Sequence, residues 1–215
     1  MTIAGADTRA RILEAAFALV GERGTTNEVT VVEIAAAAGV SRQLVYFHFK
    51  NRAGLLVAMA RHHDAKSGFV ERVAASRSLP SAEALEELLR EWCDYIPEIL
   101  PVARALEAAV ITGDEGATAW QDRMDDLWEA FRIAIERLDR DGRLAKGWTI
   151  ETATDWIWAR SHLTTWQHLV GERGWAPNDY KKRSIRSILA EILEPAPDGI
   201  WKTASTPNNR RRAEN

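Results

Sequence analysis

Residues 31–50 read VVEIAAAAGVSRQLVYFHFK, and this stretch decides the fold. Thr30 stands just before it and Glu33 three positions further on. That is the spacing of a capping box, in which hydroxyl and carboxylate satisfy each other's orphan backbone N–H groups. A short helix over Val31 to Ala38 follows and ends at Gly39, which takes a left-handed turn that other residues resist. Ser41 then caps a second short helix, Arg42 to about Phe47. Two short helices joined by Ala38-Gly39-Val40-Ser41, with Val40 filling the gap between them, are a helix-turn-helix signal.

The second helix has the chemistry of a DNA reader. Arg42 and Gln43 at its start are the side-chain types that pair bidentately with guanine and adenine edges in a major groove. Leu44 offers apolar contact to a thymine methyl. Tyr46, His48 and Lys50 supply donors toward phosphates, and the N–H groups at Thr30 predict a helix-terminus anion site. Short helix-turn-helix units also occur in helical proteins that never touch DNA. Val45 and Phe49 read as core, packed against Leu13, Phe17 and Ile34.

Working outward, a first helix spans about Thr8 to Glu22, with Ile12, Ala16, Leu19 and Val20 on one face and Gly24 as its stop. Asn51 caps a fourth, long helix over 52–76 with Leu55, Leu56 and Met59 on its apolar side. Residues 1–65 hold seven Lys/Arg against six Asp/Glu, whereas the rest hold 21 against 25. No acid lies between Glu33 and Asp64, so a chain of net charge −3 has a locally basic head, as a polyanion partner requires.

The run TRARILEAAFALVGERG, then TVVEIAAAAGVSRQLVYFHFKNRAGLL, resembles the DNA-binding domain of the TetR family of bacterial transcription regulators over residues 8–57. Abundant Ala, Leu, Glu and Arg predict an all-α protein, and lost helical periodicity predicts a loosely ordered tail over 195–215; the resemblance implies a helix-turn-helix head over 1–52 and a helical effector-binding and dimerisation domain over 53–194. It puts Tyr46, Lys50 and Thr30 on phosphates and Arg42, Gln43 and Leu44 in the groove. It further implies a homodimer whose last two long helices pair with their copies, and a pocket for a small effector among the middle helices. The partners implied are a double-stranded DNA operator, a second copy and a small molecule, with no cofactor and no membrane.

The remainder supports a larger helical domain. All nine tryptophans lie at or beyond Trp92, and Ser78-Leu79-Pro80-Ser81 punctuates the chain before them. Apolar spacing predicts helices at about 82–95, 97–112, 117–139, 150–172 and 178–194. The expected pocket is bounded by Trp92, Met124, Trp128 and Phe131, which suits a sizeable apolar or aromatic ligand, although such stripes are more often plain core. The expected dimer seam sets Trp156, Leu163 and Trp166 against Ile185, Leu189 and Ile192, with apolar positions alternating 3 and 4 steps.

Other function classes find little support. A single cysteine, Cys93, permits no intrachain disulfide, and no apolar run approaches the ~20 residues that span a bilayer. The N-terminus has no signal-peptide pattern, which predicts a cytoplasmic, nucleoid-associated protein. No phosphate-binding glycine loop and no nucleophile elbow occurs. Neighbouring helix positions point about 100° apart, so His62-His63-Asp64 does not converge on a metal, nor do Glu86-Glu87 or Asp125-Asp126 form acid/base pairs. The leading expectation is a repressor released from a palindromic operator by an apolar effector. The alternative is an effector-free DNA-binding dimer that organises chromosomes or recruits partners; a packed, cavity-free core would favour it.

Overall fold

The computed structural model describes residues 3–194, and all its regular structure is helical apart from one isolated bridge between Leu144 and Leu193. The predicted tail over 195–215, with Arg210, Arg211 and Arg212, lies outside the described residues. Three helices form the head: α1 (Ile3–Arg23), α2 (Val31–Ala37) and α3 (Arg42–Phe49). Then follow α4 (Arg52–Lys66), α5 (Phe69–Ser76), α6 (Ser81–Thr112) and α7 (Gly116–Arg140). The chain finishes with α8 (Ile150–Arg160), α9 (Leu163–Trp166), a π-helical segment (Gln167–Glu172) and α10 (Pro177–Ile192). Among the described residues no helix is long and apolar enough to cross a membrane.

The head forms as its caps dictate. Thr30 and Glu33 close the capping box at the start of α2, and Gly39 turns the chain at φ +65°. Ser41 Oγ accepts the Leu44 N–H at 3.2 Å to open α3. Burial then fixes the angle between the helices. Ile12, Leu13, Ala16 and Val20 of α1 bury against Ile34 of α2, Val45 and Phe49 of α3, and Leu55, Leu56 and Met59 of α4.

The helices depart from expectation in three places. The predicted 52–76 helix breaks at Ser67-Gly68, where Gly68 is left-handed at φ +75° and Ser67 Oγ donates to the Asp64 carbonyl at 2.8 Å. The predicted pair 82–95 and 97–112 is instead one helix, α6, running through Pro97 and Pro101. Each interior proline forfeits a backbone bond and costs about 3 kcal/mol. Both lie on the exposed face, and burial of Ile96, Val102 and Leu106 at roughly 1.5–3 kcal/mol each offsets that cost. The predicted 150–172 helix stops at Arg160, because Ser161 and His162 leave the helical path and His162 caps α9. The buried Trp92 indole donates to the freed Ser161 carbonyl at 2.7 Å, which satisfies an acceptor the break would otherwise orphan.

The head rests directly on the larger domain. α1 packs on both α4 and α6, and at Gly21 an added Cβ would stand 3.4 Å from Val102 Cγ2 of α6. One continuous buried core runs from α1 to α10, and the predicted boundary at 52/53 falls at the first residues of α4.

Candidate nucleic-acid interface and ligand cavity

Arg42, Gln43, Leu44, Tyr46 and Lys50 are all exposed along α3 and its C-cap, while His48 is half-buried. Their core-facing neighbours Val45 and Phe49 hold the helix down. The Arg42 guanidinium lies 5.3 Å from the Tyr46 ring centroid, and its Nη2 donates to the Tyr46 hydroxyl at 3.4 Å. The two side chains are therefore already drawn together at the surface that a groove would meet. Lys50 is the one non-glycine residue at positive φ (57°) among the described residues, a conformation that costs about 1–3 kcal/mol. It closes α3 through its N–H to the Tyr46 carbonyl at 3.0 Å and delivers Asn51 to cap α4.

At the start of α2 the capping box engages Thr30 itself: its N–H and hydroxyl donate to Glu33 Oε2 at 2.9 and 2.8 Å, and Arg23 Nη2 donates to Glu33 Oε1 at 3.1 Å. The Thr30 backbone bond, then its hydroxyl, hold the Glu33 carboxyl below its ordinary range. Phe17 is only partly buried against the head's core; its ring stacks on His63, centroids 3.8 Å apart, and lines the cavity of the larger domain. The sequence reading also missed Phe47, which is 81% exposed. Its signal was its position four residues after Gln43, on the same outward side of α3.

A cavity of about 380 Å³ lies between α1, α4, α5, α6, α7 and the start of α9. Its aromatic wall comprises Phe17, Phe69, Trp92, Tyr95 and Trp120, with Met124 and Leu163 beside them. Two of the four predicted pocket residues, Trp92 and Met124, are here. Phe131 is instead fully buried core, and Trp128 points away, its indole donating to Asp155 at 2.9 Å. One side of the cavity is polar but internally satisfied. Asp64 accepts from the Tyr95 hydroxyl at 2.6 Å and from Arg123 Nη1 at 2.6 Å. Arg123 and Arg61 share Asp122, each with a 2.7 Å contact, so the network ties α4 to α7.

The residues of the expected dimer seam divide. Leu163, Ile185, Leu189 and Ile192 are buried in the chain's own core, and Leu163 also lines the cavity. Leu163 is turned inward after the break at Ser161, and the three α10 residues face α6 and α8 with only a few per cent of their surface exposed. Trp156, at 38% exposure, remains on the surface, and Trp166 is half-buried. Trp156 is held in place by its indole bond to Glu191 at 2.7 Å and by Arg160 over its ring. Cys93 is buried, and burial pushes its thiol up to about 12, so it behaves as a small apolar residue.

A helix-turn-helix head joined through one helix to a helical domain with an internal cavity defines a class, the DNA-binding transcriptional regulators. Residues 12–59 match the family model of bacterial regulatory proteins, tetR family. The chain is 26% identical over 214 residues to the HTH-type transcriptional repressor BepR of Brucella suis biovar 1 (strain 1330), a match that spans 89% of this chain and 94% of that protein. It is 37% identical over 94 residues to the HTH-type transcriptional repressor LfrR of Mycolicibacterium smegmatis, spanning 43% of this chain and 48% of that one. Its fold is similar to that of NalD, the secondary repressor of the MexAB-OprM multidrug efflux pump in Pseudomonas aeruginosa, with a TM-score of 0.65, 23% identity, and 88% and 98% of the two chains covered. It is likewise similar to the fatty acid degradation regulator FadR from Bacillus halodurans, with a TM-score of 0.68, 17% identity, and 83% and 96% covered. Over residues 12–59, then, the chain is similar to the tetR family of bacterial regulatory proteins, and over most of its length to a repressor named for its helix-turn-helix.

Proposed function

We propose that the chain acts as a homodimeric repressor that occupies a palindromic operator and is released by a small, largely apolar effector. The observation that carries this reading is the position of Phe17. It belongs to α1 of the DNA-reading head, yet it forms part of the cavity wall beside Trp92 and Tyr95 of α6. A ligand in the cavity therefore presses on the head itself, and an internal cavity of this size disfavours the effector-free alternative. In this reading Arg42, Gln43 and Leu44 meet base edges while Tyr46, His48 and Lys50 meet phosphates.

A ligand acts only through different affinities for two arrangements of the paired heads. Moving the population from 99:1 to 1:99 takes about 5.5 kcal/mol of differential affinity. Relatives named as repressors support repression as the outcome of DNA binding. Genome-wide selection of bound DNA fragments, followed by operator titration with each compound that quenches tryptophan fluorescence, tests the proposal. Quenching compounds should lower operator affinity. Compounds that fill the cavity yet leave that affinity unchanged would refute the effector-release reading.

A further inference from the structure

We infer that the cavity takes an amphiphile with a single anionic head group: an apolar body among the aromatic side chains and a carboxylate on Arg77 at the rim. This deepens the effector reading above and rests on it for its consequence at DNA, though not for binding itself. The argument is one of charge that is already spent. Five ionic side chains line the cavity: Asp64, Arg77, Arg123, Asp126 and Glu129. Asp64 is held by Tyr95 and Arg123, each at 2.6 Å. Asp126 pairs with Arg123 and, at 3.6 Å, with Arg61. Glu129 receives both arms of Arg132 at 2.7 Å.

Arg77, the C-cap of α5, is exposed and makes no side-chain hydrogen bond or ion pair among the described residues. A cationic ligand would have to displace an arginine from a carboxylate before gaining a partner. An anionic one finds a guanidinium free, in a geometry suited to a two-pronged contact. Deeper in, Asp64, the Tyr95 hydroxyl, the Arg123 guanidinium and the Trp92 indole are already paired, so a second charged group on the ligand would be desolvated without compensation. The body must therefore be apolar, and a cavity of about 380 Å³ lies within the range of small-molecule sites.

The test uses three probes of equal chain length, kept below their micelle concentrations: dodecanoate, 1-dodecanol and dodecyltrimethylammonium. Trp92 and Trp120 line the cavity and report occupancy through intrinsic fluorescence. Dodecanoate should bind about fivefold more tightly than dodecanol, the scale of a partly exposed ion pair, and added salt should erode that preference. Arg77→Gln should bring dodecanoate down to the level of dodecanol and leave dodecanol unchanged. Arg77→Lys should restore part of the preference. Tightest binding by the quaternary amine, or a carboxylate preference that survives Arg77→Gln, would overturn the inference. Operator titrations with the same probes separate the two proposals. Arg77-dependent dodecanoate binding with unchanged operator affinity would refute effector release and leave the ligand class standing. Operator release by the amine alone would do the reverse.

Discussion

Arg52 Nη1 stands 3.0 Å from Asp114 Oδ2, and the pair joins the two halves of the molecule. Arg52 is the first residue of α4, just beyond the head, and Asp114 lies in the turn between α6 and α7. Around them the junction is closed. The Thr26 hydroxyl donates to Asp114, Arg52 donates to the carbonyls of Thr26 and Val29, and Gly116 N–H donates to Asp114 at 2.9 Å. Gly116 is glycine by necessity, because an added Cβ would stand 2.8 Å from Thr26 Oγ1.

Removing one partner of that pair should cost more than the pair is worth. Asp114→Ala leaves Arg52, 17% exposed, with only the more exposed Glu115 carboxylate at 3.4 Å as a counter-charge and should destabilise the chain by about 2 kcal/mol; Thr26→Val, which removes one neutral donor, should cost about 1 kcal/mol. Urea denaturation measures both. Burial tends to raise the Asp114 carboxyl, but the bonds from Thr26 and Gly116 and the charge of Arg52 outweigh it and hold it below its ordinary 3.8. A depressed carboxyl gives stability that is present above 3.8 and lost as pH falls through the folded value. Asp114→Asn should therefore flatten the acid limb of the stability curve. An unchanged acid limb would remove Asp114 from the junction's energetics.

This junction shows where sequence reading ran out. The caps at Thr30, Ser41 and Asn51 and the left-handed Gly39 were legible because each is a local device read within four residues. Thr26, Arg52 and Asp114 are far apart in sequence, and nothing local to any of them points to the others. Gly54 illustrates the same limit. Its sequence suggests a soft spot in α4, but a Cβ there would stand 3.0 Å from the Phe49 carbonyl, so it marks a close approach. Trp128 and Phe131 belong to an apolar stripe whose spacing is the same for core, cavity and surface. Only the packing of α7 against α6 and α8 sorts them. The break after Arg160 was hidden for a comparable reason, since Ser161 and His162 carry no strong helix-stop signal and the Trp92 indole that stabilises it comes from α6.

On the DNA face, division of labour between Arg42 and Lys50 can be measured. Arg42→Ala should cost about 1–3 kcal/mol and relax preference at one base position. Lys50→Ala should weaken all sequences alike and reduce the salt slope by about one unit. Phe47→Ala should leave stability within about 0.5 kcal/mol, because the side chain is almost wholly exposed, while lowering operator affinity. Equal loss of specificity from Arg42→Ala and Lys50→Ala would contradict the assignment.

The burial of Leu163 changes what tests the dimer. Leu163→Glu would place a charge in the protomer's own core and unfold it, so it reports nothing about association. Trp156→Glu acts at an exposed position and Trp166→Glu at a half-buried one, and both should yield folded monomer with weakened operator binding. Sedimentation at several concentrations, with circular dichroism as the folding control, reads the outcome. Helical, dimeric protein from both variants would place the interface on another face.

His63 should make the cavity sensitive to acid. Its ring lies against Phe17 with an interplanar angle of 8° and 6.2 Å from the Tyr95 ring, and its Nε2 is buried with no hydrogen-bond partner. Burial pushes its pKa below the ordinary 6.5; Asp64 and Glu98 pull the other way, and His62 and Lys66 add to the lowering. The neutral ring is thus favoured in the folded state, while the unfolded chain binds the proton more readily. Between the folded value and 6.5 the unfolded state holds more protons, so stability is full above 6.5 and declines as pH falls below it. Protonation would also charge a ring stacked on Phe17, which lines the cavity, so ligand affinity should fall over the same interval. His63→Phe keeps an aromatic ring against Phe17 and removes the titration. Melting temperature between pH 7.5 and 5 should decline less steeply for His63→Phe than for the parent chain, and the affinity for dodecanol, which does not titrate, should lose its pH dependence together with it. Identical slopes for the two proteins would show that His63 is not the group responsible.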